Sequence, residues 1–116
     1  MSAGNFRTRL FDAVTELATS SASIRFRLQN AILNHLILAN TPECYEVPSY
    51  FREFHKAILD QVSTKSRNGQ DKVRASLEGR HGKTLEKIAT QILTLHREYE
   101  EYLNSGFIPT QDGGRL

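Results

Sequence analysis

The chain holds one cysteine, Cys44, so no disulfide can close within it, and a reducing, cytoplasmic home is expected. A lone cysteine of this kind is usually a buried, inert thiol. Tryptophan is absent and proline occurs three times. The most apolar run, AILNHLILA over 31–39, is too short to cross a bilayer and contains Asn34 and His35, so no membrane partner is expected. The opening residues, MSAGNFRTRLFDAV, lack an apolar stretch of signal-peptide length. Alternating strand patterns, valine-rich runs, internal repeats and low-complexity segments are all missing.

Several chemistries lose their residues in the same way. Cys44 precedes Tyr45 and Glu46 with no base nearby in sequence, and no serine stands in a strand–turn–helix elbow. Gly82-Lys83-Thr84 is not a phosphate loop, because Leu77 occupies the place of the required glycine and no strand precedes it. No cofactor is called for. The net charge of +2 and the charged fraction of 24% belong to an ordinary single globular domain over 1–116.

What the chain does have is helical periodicity. Lys83 to Asn104 runs without Pro or Gly, and Leu85, Ile88, Ala89, Ile92, Leu95, His96, Tyr99, Tyr102 and Leu103 recur at spacings of three and four. Such a helix is about 33 Å long and needs partners. A first helix is expected over 5–19, capped by Asn5, with Phe6, Leu10, Val14, Leu17 and Ala18 inward. A second is expected over 24–40, capped by Ser23 and ended by Asn40-Thr41-Pro42; being apolar nearly all round, it belongs in a central or interface position. A third, over 48–66, starts at Pro48 and carries Tyr50, Phe51, Phe54, Ala57, Ile58 and Val62. A short helix over 70–78 and a break at 79–82 are favoured over one helix through to Asn104, since Gly79 and Gly82 would each cost about 1 kcal/mol in a helix interior. Gly106 suits a C-terminal cap, and 105–116 reads as a tail. The expected fold is all-α, an antiparallel four-helix bundle with that short extra helix before the last.

Histidine supplies one set of candidate functional residues. His35, His55 and His96 lie on or beside apolar stripes, and bundles hold metals on inward histidines of facing helices. With Glu100, one turn after His96, they form a candidate metal set; the alternative is an inward ring hydrogen-bonded to a neighbour such as Asn34 or a tyrosine hydroxyl. Hemerythrin-like bundles, which this chain resembles in length and helix number, pair histidines four apart on one helix, a spacing absent here.

A second set is the basic stretch 65–87, with seven basic residues against three acidic. Arg67, Arg74, Arg80 and Lys83 are its candidate nucleic-acid or anion contacts, with the N-terminus of the last helix adjoining. Within it, Arg74 and His81 are separated by six residues, just ahead of the long helix. This placement resembles the Arg and His of helical ribonucleases of the HEPN class, and the resemblance implies that Arg74 and His81 act on a phosphodiester and its 2′-hydroxyl. The chain departs from that pattern at Ala75, where a polar residue is expected, and at Gly79.

The third set is apolar: Phe26, Ile37, Leu38, Phe51, Phe54 and Tyr102 are more than a four-helix core is expected to take inward, and Arg25 and Arg27 flank Phe26; Phe26, Ile37, Leu38, Phe51 and Phe54 are the candidate interface residues. Aromatic residues and arginine favour protein interfaces. The leading expectation is a small non-catalytic helical module that binds protein, itself as a homodimer, through the second and third helices. A nucleic-acid-binding or RNA-cleaving protein using 65–87 is the alternative, and a metal-binding bundle the third.

Overall fold

The computed structural model describes residues 3–19, 21, 23–39, 47–62, 77 and 82–109. It is an all-α helical bundle, with no strand among the described residues. Helix α1, Ala3–Thr19, buries Phe6, Leu10, Ala13 and Leu17, spaced four, three and four, and half-buries Val14. It begins two residues ahead of Asn5, which therefore stands inside the first turn rather than capping it. Ala18, expected inward, is exposed, and Ala13, four residues before Leu17, is buried in the stripe instead.

Ser23 caps α2, Ile24–Ala31, as expected. Its extended backbone turns its hydroxyl onto the Phe26 N–H at 3.3 Å, satisfying one of the donors a helix start leaves open. The helix then widens into a π-helical turn, Ile32–Leu36, and closes in a 3-10 turn, Ile37–Ala39. The widening has a packing reason. At 100° per residue Leu36 would stand about 80° round from Leu28. A wider turn carries it back, and Leu28, Ala31, Ile32, Leu36 and Ala39 all reach the core.

Pro48 precedes α3, Ser49–Asp60, and its carbonyl accepts from Phe51 and Arg52 at 3.0 and 3.2 Å. The α-helix gives way after Asp60 to tightened bonds at Gln61 and Val62 that bring Val62 into the core, and the expected stretch over 63–66 lies outside the described residues. The expected 70–78 helix and the break at 79–82 fall almost wholly outside the described residues. Leu77 is helical and fully buried, and its carbonyl accepts from Arg25 Nε at 3.1 Å.

Helix α4, Gly82–Ser105, buries Leu85, Ile88, Ala89, Ile92, Leu95 and Tyr99. Gly106 closes it with φ +80°, its N–H reaching Tyr102 O at 2.7 Å, a left-handed cap that L side chains adopt at a cost. Helix α1 packs on α2 and α4, and α3 packs on α4. Contacts of Arg7 with Glu100 and of Phe11 with His96 show that α1 and α4 run antiparallel. One aromatic cluster ties three helices: Tyr99 meets Phe6 at 5.0 Å and Phe51 at 5.1 Å, edge to face, and Phe51 meets Tyr102 at 5.4 Å.

Phe51 is thereby a core residue, fully buried, and is withdrawn from the expected interface set. The arginines beside Phe26 also have internal work, since Arg27 donates to the Leu17 carbonyl at 2.9 Å, as Arg25 does to Leu77. Among the described residues no helix is long and apolar enough to cross a membrane.

Candidate functional site

The antiparallel pairing of α1 with α4 leaves a groove on the solvent side of the seam. Arg7, Thr8 and Phe11 line it from one turn of α1, and His96 and Glu100, four apart, from α4. Its volume is about 360 Å³. Arg7 grips Glu100 with two parallel bonds, Nε to Oε2 at 2.8 Å and Nη2 to Oε1 at 3.0 Å. The hydrogen bonding from Arg7, more than its charge, holds the Glu100 carboxyl below the ordinary carboxylate range. A carboxylate clamped in this way is a weaker proton acceptor, so Glu100 is poorly suited to act as a general base.

His96 Nε2 is enclosed, has no hydrogen-bond partner and stands 3.7 Å from Glu100 Oε2. The Phe11 ring lies 6.1 Å from the imidazole, tilted by 48°, and is 56% exposed. The groove is therefore an aromatic wall beside an internally neutralised ion pair. That arrangement suits an apolar occupant with a polar edge better than a free charge.

The other histidines occupy different seams. His55 is buried, and its Nε2 donates to the Leu36 carbonyl at 2.8 Å, with the Phe6 ring 5.6 Å away edge to face. Burial pushes its pKa down, partly opposed by that hydrogen bond. His35 Nε2 stands 3.6 Å from Glu16 Oε1, and its Nδ1 is enclosed without a partner. Among the described residues no three His, Cys, Asp or Glu side chains gather. The metal set of His35, His55, His96 and Glu100 is thus not assembled. The physical reason is prior engagement, of His55 by a backbone carbonyl and of Glu100 by Arg7.

Of the basic stretch, Arg67, Arg74, Arg80 and His81 lie outside the described residues. Lys83 and Lys87 are exposed in the first turns of α4. Among the apolar candidates, Phe26 is 52% exposed, Ile37 and Phe54 are half-buried against the core, and the Leu38 side chain is outside the described set. The structure adds three exposed apolar residues that the periodicity did not single out, Phe11, Leu93 and Phe107, and it turns Leu103, expected on the stripe of the last helix, out to solvent. Leu93 stands one turn ahead of His96 on α4. A signal for Phe11 existed, since a phenylalanine directly after Leu10 cannot share its stripe. The Arg7–Glu100 pair had none, because its members are 93 residues apart.

A second hollow, of about 410 Å³, lies where the chain folds back after Gly106, between Phe107, Pro109 and the Arg97, Glu98 and Glu101 side of α4. One of its carboxylates is already engaged, as Tyr50 donates its hydroxyl to Glu98 at 2.7 Å.

The molecule is defined by these features as a small all-α bundle with apolar side chains at its seams. Comparison with protein-family models, with curated proteins and with solved structures finds no match to this chain.

Proposed function

We propose that this chain is a small, non-catalytic helical interaction module that works by binding protein, itself as a homodimer in the first instance. One observation carries the reading. Among the described residues twenty apolar ones fill a core, from Phe6 to Tyr99, yet Phe11, Phe26 and Phe107 remain 56, 52 and 56% exposed. Burying the rest of such rings is favourable at roughly 25 cal/mol per Å², and nothing within the described fold covers them. Half-exposed aromatics beside arginine are the usual anchors of protein interfaces.

Light scattering after size exclusion, run over a wide concentration range, tests this. The expected mass rises from 13.2 kDa toward twice that value as concentration increases. A monomer at every concentration overturns the homodimer. Excess absorbance at 260 nm that disappears at high salt would instead bring forward the basic 65–87 stretch as a nucleic-acid contact.

A further inference from the structure

We propose that α3 is a releasable helix, undocking as a unit from α1, α2 and α4 while those three stay packed, and that proton uptake by His55 promotes the release. The proposal concerns a single copy of the chain and does not depend on the homodimeric reading above.

The packing sets α3 apart. Helices α1, α2 and α4 each pack on the other two, whereas α3 packs on α4. Its inner face and the turn that ends it, Phe51, His55, Ile58 and Val62, are buried. Its outer face, Arg52, Glu53, Lys56, Ala57 and Asp60, is open to solvent. Two side-chain bonds hold its ends to α4, Tyr50 to Glu98 at 2.7 Å and Gln61 to Gln91 at 2.6 Å. A surface helix docked along one face is the kind of unit that can open without the whole fold.

His55 stands at the middle of the docked face. It reaches past α4, to the Leu36 carbonyl at 2.8 Å and to the Phe6 ring of α1 at 5.6 Å. Both contacts suit a neutral ring. Among the described residues no carboxylate pairs with it. The charged side chains of the surrounding elements are engaged elsewhere: Arg52 of α3 donates to the Val47 carbonyl, Glu98 of α4 accepts from Tyr50, and Arg7 of α1 is bound to Glu100. A proton on the docked ring therefore sets a charge in an apolar seam, and the same proton is taken up at no such cost once α3 is out.

The histidines that hold the other seams stand in different company. His35 faces Glu16 at 3.6 Å, and His96 faces the Arg7-bound Glu100 at 3.7 Å, so a proton on either meets a carboxylate. Acid thus acts against the docking of α3 more than against the packing of α1. Release lifts the Phe51 ring from Tyr99 and Tyr102, so aromatic surface on α4 that is covered at neutral pH becomes accessible in mild acid.

Amide hydrogen exchange of the full chain, read by NMR as protection factors at about pH 7.5 and about pH 5.5, tests this. A released helix of 12 residues is marginal in water, so its amides exchange when it undocks. Amides in the middle of α3 should be less protected than those of Ile88 to Leu95 on α4. They should also respond less steeply to urea, because less surface is exposed. Their protection should fall by up to about tenfold at the lower pH, the limit for one ring of ordinary pKa 6.5 that is neutral when docked. His55→Gln should remove that fall. Leu28→Val, at a fully buried position on α2, should lower the protection of the α4 amides and leave those of α3 unchanged. Equal protection and equal urea response in α3 and α4 overturn the release, as does an equal loss in both helices from Leu28→Val. A fall that persists in His55→Gln, or no fall in wild type, overturns the part given to His55.

Discussion

Protonation of His55 should destabilise this fold, and the size of the effect follows from its surroundings. The ring is 2% exposed and its Nε2–H donates to the Leu36 carbonyl, and burial favours its neutral form. Desolvation lowers its folded-state pKa below the ordinary 6.5. The contribution of such a group is fully present above the unfolded value and is lost as pH falls through 6.5 toward the folded value. The limit is set by a folded ring that takes up no proton: going from about pH 7.5 to about pH 5.5 then costs about 1.4 kcal/mol, from the protons the unfolded ring gains, and any uptake by the folded ring makes the loss smaller. The assay is urea unfolding followed by far-ultraviolet circular dichroism at both pH values, for wild type and for His55→Gln. Glutamine can donate its side-chain N–H to the same carbonyl but does not titrate, so this loss should vanish from the variant. An equal loss in His55→Gln would refute the assignment and move the proton uptake to another group. At the higher pH, His55→Leu should cost about 1–3 kcal/mol, since it leaves the Leu36 carbonyl without its donor.

In a carboxylate titration by NMR, Glu100 should titrate below the ordinary value of 4.5, and Arg7→Ala should bring it back toward that value. Its stabilising contribution is present above 4.5 and fades as pH falls through the lowered value. Ser23→Ala removes the α2 cap and should lower unfolding free energy by about 1 kcal/mol in urea titrations. Ile92→Ala, at a fully buried position on α4, should cost about 2–5 kcal/mol in the same experiment, and a smaller loss would mean that the bundle closes over the cavity.

The parts of this fold that were legible in the sequence are those that depend on near neighbours. The stripe on α4 came through at Leu85, Ile88, Ala89, Ile92, Leu95 and Tyr99, because helical period and burial agree along one continuous helix, whereas His96 and Tyr102 are half-buried and Leu103 is exposed where the helix runs past the core. The caps at Ser23 and Gly106 were readable for the same reason: a hydroxyl or a missing Cβ acts within one turn. Asn5 has the chemistry of a cap too, but α1 extends beyond it. The π-helical turn at Ile32–Leu36 answers to core packing, which residue types along one helix do not encode. Histidines on apolar stripes were foreseen as inward, and His55 is buried, but its partner is a carbonyl on another helix rather than Asn34 or a tyrosine. The groove was the least legible feature, because it is made by the register of α1 on α4, and no local pattern carries a contact across 93 residues.

The aromatic cluster around Tyr99 also makes the molecule its own spectroscopic gauge. Tryptophan is absent from the chain, so near-ultraviolet circular dichroism draws on tyrosine and phenylalanine, and Tyr99, Tyr102, Phe6 and Phe51 are locked against one another at the meeting of α1, α3 and α4. A state that keeps its helices but loses fixed packing would keep its far-ultraviolet signal and lose this one. The two wavelength ranges can thus separate a substitution that loosens the junction from one that melts a helix, without any added label.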